Sequence, residues 1–399
     1  MPNSPLRVLF ISHTFPPLNH PLTSIGGMQR VATELYEALK RQDNIEPHPM
    51  ILRSPWRTVY LRTPLFLVRC ALQLKRIESI DVVIFSSVLS SAFLYPTLTQ
   101  LRKRGIATVA IAHGEDILSP IPVYRTLVRR AFEHLDSVVA VSRATGRACI
   151  QRGLNAERLR IIPNGVNTKR FRALNSPKSM RQDLLNSTGQ YLPNNAILLC
   201  SVGRHVPRKG FVWFVDQVMP HLPSNVHYWL GGSGPDTQAV QSAAQRHGLQ
   251  QRVKTLGCLD EDQLLSLYRG SDLYIMPNIA QPGTMEGFGV VMLEAGMCGL
   301  YTIASRLEGI CDVIEEGVNG TLVPSGNVRA FVREITNKIN SGNSSQRDVH
   351  SVIQHTQKFG WDPIAHRYIE LIRELRSDRE TQNKHYVRLH SKEVFHLVE

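Results

Sequence analysis

The chain lacks several features that define common protein classes. No window holds the roughly 18–20 consecutive apolar residues of a membrane span. The opening apolar run at 6–11 is soon interrupted by His13, Pro16 and Pro17, so it predicts a first strand rather than a signal peptide. The six cysteines (70, 149, 200, 258, 298 and 311) include no C-x-x-C pair and no zinc-ligand spacing. They predict buried, reduced thiols of a cytoplasmic protein. The dinucleotide turn G-x-G-x-x-G is missing after the first strand, which counts against a nicotinamide oxidoreductase. Finger spacings and an RNP-type aromatic strand are missing too, so no nucleic-acid partner is expected. No tandem repeat appears. Acidic residues are scarce: 33 Asp and Glu face 46 Lys and Arg, a net charge of +13. That excess calls for something acidic nearby, a nucleotide or an anionic membrane surface.

What is present reads as an alternating α/β protein. At 399 residues the chain is too long for one core, and 42% hydrophobic with 20% charged residues is ordinary for globular domains. Apolar runs at 6–11, 80–85, 107–112, 137–142, 196–202, 226–230, 253–256, 273–276 and 299–304 alternate with helical stretches, the pattern of buried parallel strands. A polar segment at 172–195 containing a short helix separates two halves. The expected domains are 1–190 and 191–357, then a terminal helix over 358–380 and a polar tail over 381–399.

The chemistry gathers at strand ends. Residues 286–296 read Glu-Gly-Phe-Gly-Val-Val-Met-Leu-Glu-Ala-Gly after a Pro- and Gly-rich loop. Gly287 and Gly289 flank Phe288 and let backbone approach a ligand closely. A helix opening at Gly289–Val290 offers unpaired N–H groups to a phosphate or sugar oxygen. Glu286, in the loop, and Glu294, about two turns into the helix, would accept bonds from sugar or ribose hydroxyls. The competing reading is an ordinary strand–loop–helix with a solvated glutamate. Gly203-Arg204-His-Val-Pro-Arg208-Lys209-Gly210 brings cations to a helix start, which suits a diphosphate. Gly26-Gly27 before a helix forms another phosphate turn, and His113 ends a strand at the edge where α/β sheets bind ligands. Asp260 and Asp262 have D-x-D spacing but read as a helix cap rather than a metal site. Residues 56–77 mix Arg57, Arg62, Arg69, Lys75 and Arg76 with apolar residues. Such a helix either packs on the surface with its arginine heads snorkelling or lies on an anionic membrane.

Glu, seven residues, then Glu, inside E-G-F-G-x-x-x-L-E-A, resembles the signature of retaining GT-B glycosyltransferases of family 4. The G-R-x-x-x-x-K-G segment, the Gly-rich turn at 231–235 and Pro163-Asn164-Gly165-Val166 are similar to other family elements. Asn167 stands where the family has Asp, and 307–312 lacks the proline of the family's Gly-Gly-x-Pro-Glu turn, a change that bears on donor choice.

The resemblance implies an α/β, GT-B fold: two Rossmann-like doubly wound parallel-sheet domains facing across a cleft. It implies hexosyl transfer from a nucleoside-diphosphate sugar, UDP- or GDP-linked, to a hydroxyl acceptor on a lipid, glycan or small molecule. No metal or other cofactor is implied, since Arg204 and Lys209 do a metal's work. Glu286 would grip the sugar and Glu294 the ribose. His113 would hydrogen-bond a sugar hydroxyl from the first domain. Gly26, Gly27, Gly203, Gly232, Gly287, Phe288, Gly289 and Val290 would line the donor, with Cys258 and Leu259 meeting the base through backbone atoms. The cytoplasmic face of a membrane would be its place of work. The alternatives are a non-catalytic partner that keeps the GT-B fold and another nucleotide-binding α/β enzyme.

Overall fold

The computed structural model describes residues 5–17, 26–171, 177–341 and 346–395. It contains two six-stranded sheets whose paired strands are all parallel. The first comprises β1 (Leu6–Phe15), β2 (Ile45–Arg53), β3 (Val82–Phe85), β4 (Ala107–Ala112), β5 (Ser137–Ala140) and β6 (Leu159–Ile161), in the order β2-β1-β3-β4-β5-β6. The second comprises β7 (Ile197–Val202), β8 (Val226–Gly231), β9 (Val253–Gly257), β10 (Leu273–Met276), β11 (Tyr301–Ser305) and β12 (Gly320–Val323), in the order β12-β11-β10-β7-β8-β9. Each sheet reverses its winding beside its first strand. Such a switch point opens a crevice outside the carboxyl ends of the strands, where ligands bind.

β2 was not expected, because Pro47 and Pro49 argue against a strand. Both sit on the sheet's outermost strand, where alternate missing N–H groups face the open edge at no cost to the ladder. The helix expected after β3 is two helices, Val88–Phe93 and Tyr95–Lys103, with Pro96 in the first turn of the second. Gly320–Val323, which falls in none of the apolar runs singled out above, supplies edge strand β12, parallel to β11. Within the expected interdomain segment, helix Pro177–Thr188 packs against helix Glu261–Gly270.

The terminal helix runs from Trp361 to Phe395, through most of the stretch expected as a polar tail. It returns to the first domain. Trp361 Nε1 donates to Glu34 at 2.5 Å and Arg367 to the Ile161 carbonyl at 2.6 Å, while Arg379 pairs with Asp136. Trp361 also covers Gly165, where a Cβ would sit 2.5 Å from the indole. The expected P-N-G turn is thus fixed by ring packing.

Helix Trp56–Arg76 buries Phe66, Leu67, Cys70 and Leu74. It turns Leu61, Leu65, Val68 and Leu72 outward, 81% exposed at Leu61. Their spacing of four, three and four places them on one stripe opposite the buried face. Arg62, Arg69 and Arg76, seven residues apart, run beside that stripe and are exposed. No helix among the described residues is long and apolar enough to cross a membrane.

Candidate active site

The carboxyl ends of the second sheet carry every donor-side segment singled out from the second half of the sequence, while Gly26 and Gly27 follow β1 of the first sheet. β7 runs into Gly203–Gly210, β8 into Gly231–Pro235, β9 into Cys258–Leu259 and β10 into the loop holding Glu286. Two of these turns touch backbone to backbone. Gly203 donates to the Gly231 carbonyl at 3.0 Å, and a Cβ on Gly232 (φ +111°) would lie 2.1 Å from the Gly203 oxygen.

Glu286 is the centre of the arrangement. Its Oε2 accepts from Lys209 Nζ at 2.6 Å, Arg208 at 2.8 Å and Asn278 Nδ2 at 3.1 Å. Burial alone would raise its pKa. The Lys209 and Arg208 charges, with hydrogen bonds from Lys209 and Asn278, outweigh that and hold it below the usual 4.5. Lys209 is itself buried, its stem lying over Gly203. Arg204 is exposed and has no hydrogen-bond or ion-pair partner among the described residues.

The first domain closes over this centre. Arg208 also reaches Glu115 at 2.9 Å, bridging the cleft. Gly287 sits where a Cβ would lie 1.9 Å from the His113 carbonyl oxygen. Gly114 (φ +105°) is similarly pressed against Met285. Gly287 therefore brings the loop against the opposite domain, where close approach to a ligand was expected, while Gly289 packs against Met292 of its own helix. Phe288 is buried and packs against Phe359 with ring centroids 6.1 Å apart, so a donor would meet this residue through its main chain. Gly289 (φ +86°) caps helix Val290–Met297.

His113 is held at both ends. Its backbone N–H donates to Asp116 at 2.8 Å and its Nε2 lies 2.8 Å from the Ser86 carbonyl. A carbonyl only accepts, so Nε2 carries the proton. That leaves Nδ1 as the ring's other polar atom, unpaired among the described residues. Nearby His13, bonded to Ser90 at 2.9 Å, is lowered to about 4 by burial and then by the His113 charge.

Glu294 lies in a different setting. It is 2% exposed, paired with Arg30 of the first domain and accepting from Tyr268 at 2.9 Å. Arg30 stands in the first turn of helix Gly27–Lys40, just after Gly26 and Gly27. Both glycines are exposed, with nothing within 4 Å of where a Cβ would be. Cys258 is exposed, 3.3 Å from the Ser233 hydroxyl, and Leu259 is buried. Asp260 caps its helix by accepting from the Gln263 N–H at 2.8 Å.

Sequence reading missed Arg208, Arg30, Tyr268, Asn278 and Glu115. A cation in a helix's first turn opposes the helix dipole and needs a carboxylate, a signal that could have singled out Arg30. Nothing in the sequence separates Arg208 from Lys209 beside it.

The cleft, its cations and its carboxylates at the strand ends define a glycosyltransferase of GT-B architecture. Solved structures share this fold. Anabaena Alr3699/HepE, crystallised with UDP, aligns at a TM-score of 0.72 and 20% identity over 92% of this chain and 100% of its own. Sucrose-phosphate synthase from Thermosynechococcus elongatus aligns at 0.73 and 20% identity, over 94% and 100%. The family described as Glycosyltransferase Family 4 matches residues 25–170, and Glycosyl transferases group 1 matches 196–341. The chain belongs to this group 1, family 4 lineage of glycosyltransferases. Among curated relatives, the GDP-mannose-dependent alpha-(1-6)-phosphatidylinositol monomannoside mannosyltransferase of Mycolicibacterium smegmatis is 26% identical, over 82% of this chain and 88% of its own. The phosphatidylinositol N-acetylglucosaminyltransferase GPI3 subunit of Saccharomyces cerevisiae is 24% identical, over 78% and 67%.

Proposed function

We propose that the protein transfers a hexose from a UDP- or GDP-linked donor to a hydroxyl on a lipid-linked acceptor, with retention and without a metal. The observation that carries this reading is the convergence of Lys209 and Arg208 on Glu286 at the sheet edge, with Arg204 unpaired alongside. In this structure the carboxylate balances the cations. A bound diphosphate would take over Lys209 and Arg204, and Glu286 would then turn its oxygens to the sugar hydroxyls. As the sugar–phosphate bond breaks, charge grows on the departing diphosphate, and preorganised cations stabilise it there more than in the ground state.

Retention follows a front-side displacement, in which the leaving phosphate oxygen takes the acceptor proton. Held as it is by three donors, Glu286 positions the sugar rather than attacking it. His113 accepts a sugar hydroxyl at Nδ1. The open Gly26–Gly27 helix start faces the phosphates and the acceptor, the base lies over the main chain of Cys258 and Leu259, and the ribose hydroxyls replace Arg30 on Glu294. Proton NMR of the product anomer tests this, with retained configuration expected and an inverted product overturning it.

The lipid-linked acceptor is supported by relatives named for phosphatidylinositol substrates and by the stripe Leu61, Leu65, Val68 and Leu72 with its row of arginines. This face would rest on the anionic, cytoplasmic surface of a membrane, leucines in the interface and arginines at the headgroups. Sedimentation with phosphatidylserine vesicles should carry the protein down, and Leu65→Glu should release about tenfold. Equal sedimentation of both proteins overturns the assignment.

A further inference from the structure

The turn after β11 is the place where this chain departs from the family pattern, and Glu308 lies in it. Glu308 has φ +48°; Ser79 is the other described non-glycine residue with positive φ. Glycine adopts this conformation freely, whereas L side chains rarely do. Its neighbour Gly309 permits no side chain, since a Cβ would lie 2.0 Å from the Gly287 carbonyl oxygen. The pair is laid directly on the loop that carries Glu286. Gly309 N–H donates to the Glu286 carbonyl at 3.0 Å, and Glu308 Oε2 accepts the Glu286 N–H. Oε1 of Glu308 has no partner among the described residues.

A second observation points to a missing ligand at the same place. Asn278 is 1% exposed and gives its Nδ2 to Glu286, which fixes the orientation of the amide. Its Oδ1 is buried with no partner. A buried acceptor left unsatisfied is costly and calls for a donor from outside the chain.

We propose that Glu308 is a specificity residue for the donor sugar. With Asn278 it forms a wall of acceptors beside Glu286 that admits an uncharged hexose through its hydroxyl donors and rejects a hexuronic acid. This rests on the hexose-donor reading above. Once a diphosphate engages Lys209 and Arg204, the carboxylates of Glu286 and Glu308 are left facing the sugar. A uronate would add a third negative charge in a half-buried setting, where charges are weakly screened. Neutral hydroxyls instead satisfy Asn278 Oδ1 and Glu308 Oε1.

Donor hydrolysis and calorimetric binding should be measured with UDP-glucose against UDP-glucuronic acid and GDP-mannose against GDP-mannuronic acid. The native protein should favour the hexose of the pair it uses by at least about 100-fold in kcat/KM. Glu308→Gln retains an oxygen for the Glu286 N–H and loses the charge. It should narrow the preference by about tenfold, through a lower KM for the uronate rather than a changed kcat. Glu308→Gly relieves the backbone and removes the acceptor, so it should narrow the preference while raising the melting temperature. A hexose signal with an unchanged ratio in Glu308→Gln, or equal use of both sugars by the native protein, overturns this proposal alone. Silence of all four donors in binding and in hydrolysis overturns the hexose-donor reading and takes this one with it.

Discussion

Glu286 and Glu294 belong to one motif, with seven residues between them, yet their surroundings differ in kind. Glu286 sits at the cleft, served by Lys209, Arg208 and Asn278, all from its own domain. Glu294 sits in the seam between domains, sealed from solvent and held by Arg30 from the other side and by Tyr268. The first has partners that, in the proposed reaction, a diphosphate would take. The second ties the recognition helix of one lobe to the phosphate turn of the other. A single sequence signature thus places one carboxylate at the cleft and the other in a seam that a donor's ribose, in the proposed reaction, has to open by displacing Arg30.

The largest effect that would separate the two roles is catalytic. Lys209→Met should slow transfer by about 10²–10³-fold in kcat, the range for removing one group that stabilises developing charge, while urea unfolding shifts little because Arg208 still holds Glu286. A loss of stability without loss of turnover would make this carboxylate structural as well. Next in size, Arg30→Met leaves Glu294 buried and unpaired and should cost about 3 kcal/mol of unfolding free energy. A double-mutant cycle with Glu294→Gln should recover part of it, and independent, additive losses would break the assignment of a shared joint.

A smaller effect comes from acid. His13 and His205 are both lowered to about 4 in the folded protein, burial being the main cause. Protonation therefore favours the unfolded chain, whose histidines titrate near 6.5. Stability is complete above that value and falls as pH drops through the window between 6.5 and 4. Each histidine contributes about 2 kcal/mol of loss on going from pH 6.5 to 5. The Glu286 cluster stays ionised there, because its carboxyl titrates below the usual 4.5 and its stabilisation disappears only in stronger acid. His13→Gln should reduce the slope without abolishing it, since His205 and His227 are lowered by burial as well, as read by denaturant titration at stepped pH. An unchanged slope would place the acid sensitivity elsewhere.

Much of this was legible beforehand. The apolar runs gave nine of the strands, because parallel strands buried on both faces leave a continuous hydrophobic trace. Edge strand β2 left none, its prolines being tolerated only where no neighbour needs their N–H. Lys209 and Glu286 were each readable as groups at strand ends, one for a diphosphate and one for a sugar, but their pairing was not. The Arg30–Glu294 joint was not, since it spans 264 positions and depends on how the lobes meet. The split of Glu286 among Lys209, Arg208 and Asn278 is likewise a matter of side-chain geometry that spacing does not encode.

The returning helix Trp361–Phe395 has a consequence for biosynthesis. The first sheet's covering layer is completed by Trp361, Arg367 and Arg379, which leave the ribosome only after the whole second lobe has been made. The early half of the chain must therefore wait on a nascent ribosome with Gly165 uncovered and Glu34 unsatisfied. Its maturation is coupled to synthesis of the returning helix rather than to its own emergence.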